Sequence, residues 1–458
     1  MIGSASVNAV SVAESVSGEM IEMVGDLQPR RQVLVAERVL TCVPEDRGHP
    51  EYDDGPVAVL IEAGRIIAVG APDSMPQDPE IDVVDFGIGS TMLPGLIDTH
   101  VHLAFDGGPD PLSTLQCSDD VTILALMTDN AEALLSAGVT TARDLGAPRG
   151  LDLTIKRRVN AGQIPAPRLQ TVTEPLTVTG GHCWFLGGEV NRGVNAAREA
   201  VQRAHARGAD AIKIMATGGS MTSGSLPYEA QFTAEEIVAV VDQAHKLGLK
   251  VAAHAHGVAG IRDSVAARVD SIEHFSFMTA LGGIDPEPDV VTAVAQSGTF
   301  VCRTVCAAWG EVLKKLTPEP DSLRRLKDIG VRIVAGTDAG IARTPHVEYV
   351  LSLEGMAAFG MTNWEVIEAA TSVAAESLGL GRETGSIAPG KAADLVVVRG
   401  DPLEDLGYLR NLEAVFTRGV RHVPQVASVL SWNEIVECPK YVPGLQRRRA
   451  GGQEQRES

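Results

Sequence analysis

Asp98-Thr-His100-Val-His102 closes an apolar run that begins at Leu93. In an extended strand, residues two apart share a face, so both imidazoles point the same way, which suits a divalent metal such as zinc. Taken alone, the pair fits equally well with two hydrogen-bonded residues beside a turn. His254-Ala-His256, Glu273-His274 and Gly336-Thr-Asp338 end other apolar runs, and Lys213 sits inside Ala211-Ile-Lys-Ile-Met-Ala216. An ammonium group inside an apolar strand must be paired, neutralised or chemically modified, because a bare buried charge costs several kcal/mol. The bland alternative is a lysine whose head reaches a carboxylate at the rim. Singly each signal is weak. Together they set His100, His102, Lys213, His254, His274 and Asp338 at the same end of strands one, four, five, six and eight, and that convergence reads as a metal site.

Other groups could touch a substrate. His182, after Gly180-Gly181, and Tyr228, in the loop after Lys213, are donors able to reach a carbonyl oxygen as charge develops on it; Tyr228 could equally stack under a loop. Arg343 and His346 follow Asp338, and Arg303 interrupts the seventh apolar run. An arginine at a site mouth can grip a carboxylate through two hydrogen bonds, and pairing with one of the many acids is the structural alternative. Trp184 and Phe185 would make a pocket aromatic, or pack a lid against the rim.

The elements that must position these groups are short apolar runs at 93–103, 139–145, 169–178, 211–216, 249–254, 271–275, 300–305 and 331–336, with helix-like stretches between most of them. Glycines at 208, 248 and 330 end three of those helices. Eight β/α units predict an α/β fold of the TIM (β/α)8 type over 91–384, with chemistry at the C-terminal ends of the strands. β-type runs separated by Gly, Pro and Asp lie at 31–90 and return at 385–440, predicting a small antiparallel β-sandwich domain built from both chain ends. Residues 1–30 read as a flexible arm and 441–458 as a disordered tail.

Composition narrows the function classes. At 458 residues, 44% hydrophobic and 21% charged, the chain is neither fibrous nor wholly disordered. A net charge of -20 repels phosphate backbones and anionic lipid, so neither nucleic acid nor a membrane is the expected partner; a small-molecule substrate is. Six cysteines without a CxxC pair exclude a disulfide framework and a zinc ribbon. No secretory leader and no apolar run of membrane length stand out, so the expected location is cytoplasmic.

The segments Leu93-Pro-Gly-Leu-Ile-Asp-Thr-His-Val-His102, Gly138-Val-Thr-Thr-Ala-Arg-Asp-Leu-Gly146, Lys213-Ile-Met-Ala-Thr-Gly-Gly219, Val251-Ala-Ala-His-Ala-His-Gly257, Ser271-Ile-Glu-His274, Ala335-Gly-Thr-Asp-Ala-Gly340 and Gly385-Ser-Ile-Ala-Pro-Gly-Lys-Ala-Ala-Asp-Leu-Val396 stand in one chain. With them it resembles the metal-dependent amidohydrolase superfamily. The nearest branch is that of lysine-carbamate prolidases and carboxypeptidase-like enzymes, with imidazolonepropionase more distant. The resemblance implies two divalent ions, usually Zn2+. His100, His102 and Asp338 would hold one, His254 and His274 the other, and carbamylated Lys213 would bridge them, which leaves His256 behind the ligands or on the substrate.

It further implies that a hydroxide bridging the ions cleaves a C–N bond while Asp338 moves the proton, in a homo-oligomeric enzyme. Its substrate would be a dipeptide or N-acyl amino acid, or an aryl or alkyl amide, urea or carbamate. His182, Tyr228, His256, Trp184, Arg343 and His346 would contact it, with His182 and Tyr228 assisting catalysis. The third loop, with Trp184 and Phe185, is more aromatic than in the dipeptidase branch, and the seventh run lacks the usual Pro-Thr pair. Both departures weaken the dipeptide reading. A cyclic-amide hydrolase or deaminase is the alternative, and a non-catalytic scaffold the remote one, since every expected ligand position is filled.

Overall fold

The structure is a computed structural model that describes residues 31–44, 55–306 and 321–424. Eight barrel strands run in chain order: Leu96–Val101, Val139–Asp144, Arg168–Thr171, Ala211–Met215, Lys250–Gly257, Ser271–Met278, Phe300–Cys302 and Arg332–Val334. The first three pair in parallel, as do the last five. Backbone bonds join the two groups. Asp210 N donates to Thr171 O and Leu176 N to Lys213 O on one side, and Thr99 N donates to Ala335 O on the other, where Val101 also bridges Ala339. Strands buried on both faces read as continuous apolar runs, and Ala211–Met215 is buried throughout.

Helices cover the outside of the barrel. Val194–Arg207 ends on Gly208 at φ 103°, whereas Ala234–Lys246 and Ser322–Asp328 end on Leu247 and Ile329, one residue ahead of Gly248 and Gly330. Ala234–Lys246 opens with a capping box between Thr233 and Glu236, which satisfies backbone donors at its start.

Two further sheets come from the chain ends. One has four strands, with Gln32–Ala36 between Val57–Glu62 and Asp82–Asp85 and Arg65–Gly70 outside Val57–Glu62; the other has five and centres on Leu395–Arg399 between Ser90–Pro94 and Leu412–Thr417. Leu34, Val59, Ile61 and Ile66 of the first pack against Met92, Leu395, Val397 and Phe416 of the second in one core. The pairing is mixed rather than antiparallel: Gln32–Ala36 runs antiparallel to Val57–Glu62 but parallel to Asp82–Asp85.

Two apolar runs of the sequence prove to be two elements each. The run at 93–103 divides at Gly95, where a Cβ would lie 2.0 Å from Thr140 Oγ1. Ser90–Pro94 therefore belongs to the end sheets, and Leu96–Val101 to the barrel. The run at 169–178 divides into the third barrel strand and Thr177–Val178, which pairs with Glu189–Val190. The expected arm at 1–30 and tail at 441–458 lie outside the described residues. Among the described residues, no helix is long and apolar enough to cross a membrane.

Candidate metal centre

The barrel gathers the predicted ligands at the C-terminal ends of its strands. His100 lies on the first strand and His102 just past its end, Lys213 on the fourth; His254 and His274 lie on the fifth and sixth, and Asp338 follows the eighth. All six are buried, the most exposed at 8%. Two ligand clusters stand side by side: His100, His102 and Asp338 in one, and His254, His256 and His274 in the other. Asp338 Oδ1 is 3.2 Å from both His100 Nε2 and His102 Nε2. The His100 and His274 rings are 5.3 Å apart between centroids, so the clusters adjoin. Asp338 and His274 hold positive φ, 61° and 72°; backbone that costly for a non-glycine residue concentrates at functional sites.

Each imidazole is held through one ring nitrogen by a neighbouring protein group. His100 Nδ1 meets Glu273 Oε2 at 2.9 Å, and His102 Nδ1 meets Gly146 O at 3.4 Å. His254 Nε2 meets Gly218 O at 2.9 Å, and His274 Nδ1 meets Thr304 Oγ1 at 3.0 Å. His256 Nδ1 meets Ser276 Oγ at 2.7 Å. Such partners fix tautomer and ring orientation in metal ligands. Electrostatics agree: burial and neighbouring cationic or imidazole groups hold His254 and His274 well below the usual histidine range, in the neutral form that binds metal. Burial alone would raise Asp338, but His100 and His102 outweigh it and keep the carboxyl well below the usual range.

Lys213 supplies the clearest test of fit. Its Nζ is buried with no hydrogen-bond partner, and its charge is felt by Asp338 of one cluster and by His254, His256 and His274 of the other. Burial pushes its pKa down, towards a free amine. The donor set, imidazoles plus a carboxylate around an orphaned amine, fits two divalent ions. A third group, His100, Glu273 and Cys302, lies close enough to share an ion, yet Arg143 Nη2 already neutralises Glu273 at 2.8 Å. Burial and Glu273 together push the Cys302 thiol well above its ordinary value. That trio is a buried packing network.

Arg143 and Glu273 are the partners sequence reasoning passed over. Arg143 is among the largest fully buried side chains and donates to Thr99 O, Ser271 Oγ and Glu273. The signal was present: a charge inside the apolar run at 139–145, the same signature that marked Lys213.

The proposed substrate groups spread around the mouth. His182 is 5% exposed, its ring 4.7 Å from His254. Tyr228 is half-buried, its backbone against Gly257. Trp184 is 46% exposed and leads inward through edge-on contacts to Phe185, Phe105 and His102. His346 is buried behind the first strand, Nε2 3.2 Å from His102 O, while Arg343 is exposed. Arg303 Nη1 donates to Phe275 O. A cavity of about 590 Å³ opens where the strands begin, far from these groups in the fold, among Lys250, Asp270, Phe300 and Arg332.

Comparison with known proteins agrees with this geometry. The model of the amidohydrolase family matches residues 91–422. Ochratoxinase of Aspergillus niger is 29% identical over 78% of this chain and 80% of its own length. Imidazolonepropionase of Paracoccus denitrificans is 28% identical over 80% of this chain and 93% of its own. A crystal structure of a Xaa-Pro dipeptidase with methionine bound in its active site superposes with a TM-score of 0.75 at 26% identity, over 86% of this chain and 99% of that one. The chain belongs to the amidohydrolase family, and its two-metal site is that of a metal-dependent hydrolase of C–N bonds.

Proposed function

We propose that the protein hydrolyses the C–N bond of a small amide whose acyl or amine part is apolar and aromatic. His100, His102 and Asp338 would hold one Zn2+ and His254 and His274 the other, with Lys213, carbamylated, between them. Carbamylation joins the free amine to carbon dioxide and releases a proton, which turns an unwanted buried cation into an anionic oxygen ligand. The observation that carries this reading is Lys213 Nζ, buried and without a partner amid both clusters. When bound, the metals supply an activated water and a polarised carbonyl at neutral pH.

The chain's own groups do the rest. Asp338 is ionised and lies beside the His100 and His102 rings, where it would take a proton from the attacking water and return it to the leaving nitrogen. His182 is neutral, its pKa lowered by burial to about 3, so one ring N–H is available to a carbonyl oxygen as charge builds there. Tyr228, on the adjoining loop after the fourth strand, is a second donor, and His256 lies beside the ligand rings of His254 and His274. Trp184 and Phe185 offer an aromatic wall for the apolar part of the substrate. Arg343 stands as an outer contact on the eighth loop, and buried His346 would act on the site through the His102 carbonyl. The reading extends to a cytoplasmic homo-oligomer acting on a small molecule.

The test combines metal analysis with a substrate panel. Zinc-loaded protein is expected to hold about two divalent ions per chain and to cleave neutral aryl amides, ureas or carbamates faster than Xaa-Pro dipeptides. Turnover confined to substrates with a free carboxylate would move the reading to the peptidase side. No metal uptake in excess zinc would end it.

A further inference from the structure

His182 lies outside both ligand clusters, and its Nδ1 is buried with no hydrogen-bond partner. A polar ring so placed, beside His254 and without a bond of its own, has to be held by its surroundings. The holding groups come from the loop after the fourth barrel strand, 216–231. That loop leaves and returns as a hairpin: Gly218 N donates to Glu229 O, Gln231 N to Ala216 O, and Thr217 bridges Ala230. Gln231 Oε1, on the return, lies 3.2 Å from His182 N, and Thr222 Oγ1, between the two legs, 2.9 Å from Cys183 N, each accepting a backbone N–H of the third loop. Cys183 sits at φ 55°, a conformation that needs outside support. Gly219 completes the seat, because a Cβ there would lie 2.4 Å from His182 Cε1 and Nε2.

We propose that Thr222 and Gln231 are positioning residues: they clamp the His182–Cys183 backbone so that the imidazole rests on Gly219 and faces the substrate carbonyl. This rests on the reading of His182 as the donor to that carbonyl. Neither clamp residue touches reacting atoms, so their effect on turnover runs through His182. The third and fourth loops are therefore tied together at His182 and Cys183.

The experiment uses the full zinc-loaded chain and the best-cleaved amide of the panel above. Thr222→Val keeps the shape and removes the acceptor, whereas Thr222→Ser keeps the acceptor. Gln231→Leu and Gln231→Glu form the same pair. The Val and Leu variants are expected to lower kcat about tenfold or more, with KM and zinc content little changed, and to speed deuterium exchange at the His182 and Cys183 amides. The Ser and Glu variants are expected to stay near wild type in all four. In a His182→Ala background, Thr222→Val should cost nothing further. An undiminished loss in that background, or unchanged kcat and exchange in Thr222→Val beside a crippled His182→Ala, overturns the clamp alone. A fully active His182→Ala removes the reading of His182, and the clamp with it.

Discussion

Replacing Arg143 with methionine removes the cation beneath the metal centre and tests how the ligands are held. Glu273 is fully buried. It accepts from Arg143 Nη2 at 2.8 Å and Ser271 Oγ at 2.6 Å, and Oε2 meets His100 Nδ1 at 2.9 Å. Burial opposes its charge, and Arg143, ahead of His100 and Lys213, holds the carboxyl well below the usual range. Arg143→Met leaves that carboxylate buried without its cation, a change that costs roughly 3–5 kcal/mol. With an unfolding entropy of about 2.1 cal/mol/K per residue, 458 residues give about 1 kcal/mol/K. The melting midpoint should fall by about 3–5 °C.

His100 also loses a well-formed orienting partner, so zinc affinity should drop about 10- to 100-fold. The assays are thermal unfolding of chelated protein and competitive zinc titration. The double variant Arg143→Met with Glu273→Gln removes both charges and should recover most of the stability but not the zinc affinity. An unshifted midpoint for Arg143→Met, or a double variant as unstable as the single, would refute the buried-pair account.

Lys213→Met should fold, since it removes an orphaned buried amine, yet bind about one divalent ion rather than about two and lose turnover; full metal content by mass spectrometry with normal rates would contradict the bridging role. Asp338→Asn should retain some zinc while kcat falls by about 100-fold or more, and near wild-type rates in a metal-loaded variant would remove the proton shuttle. Away from the site, burial would raise Glu365, but Arg324, the Thr362 amide and Lys327 pull it from 4.5 to about 2. Because the folded value is the lower one, its stabilisation is present above pH 4.5 and is lost as pH falls towards about 2. The side chain is partly exposed, so the effect is about 1 kcal/mol. Glu365→Gln should flatten urea stability between pH 4.5 and about pH 2 by that amount; equal pH slopes for the two proteins would refute it.

What could be read along the chain was whatever short-range periodicity records. A strand buried on both faces has to be apolar, so Lys213 announced itself against Ile212 and Ile214, and the i, i+2 spacing of His100 and His102 declared a shared face. Helix ends near Gly208, Gly248 and Gly330 were legible because a left-handed backbone favours glycine. Close approach of distant segments is not written in local pattern. Gly95 looks like part of one run until Thr140 is seen against it, and two partners of Glu273, His100 and Arg143, come from strands one and two, which no spacing in the sixth strand reveals. Closure of the barrel decided which protein group each imidazole nitrogen meets, that His346 braces the His102 carbonyl, and that two loops meet at His182. Those are through-space contacts among residues far apart in number, and only the assembled chain brings them within bonding distance.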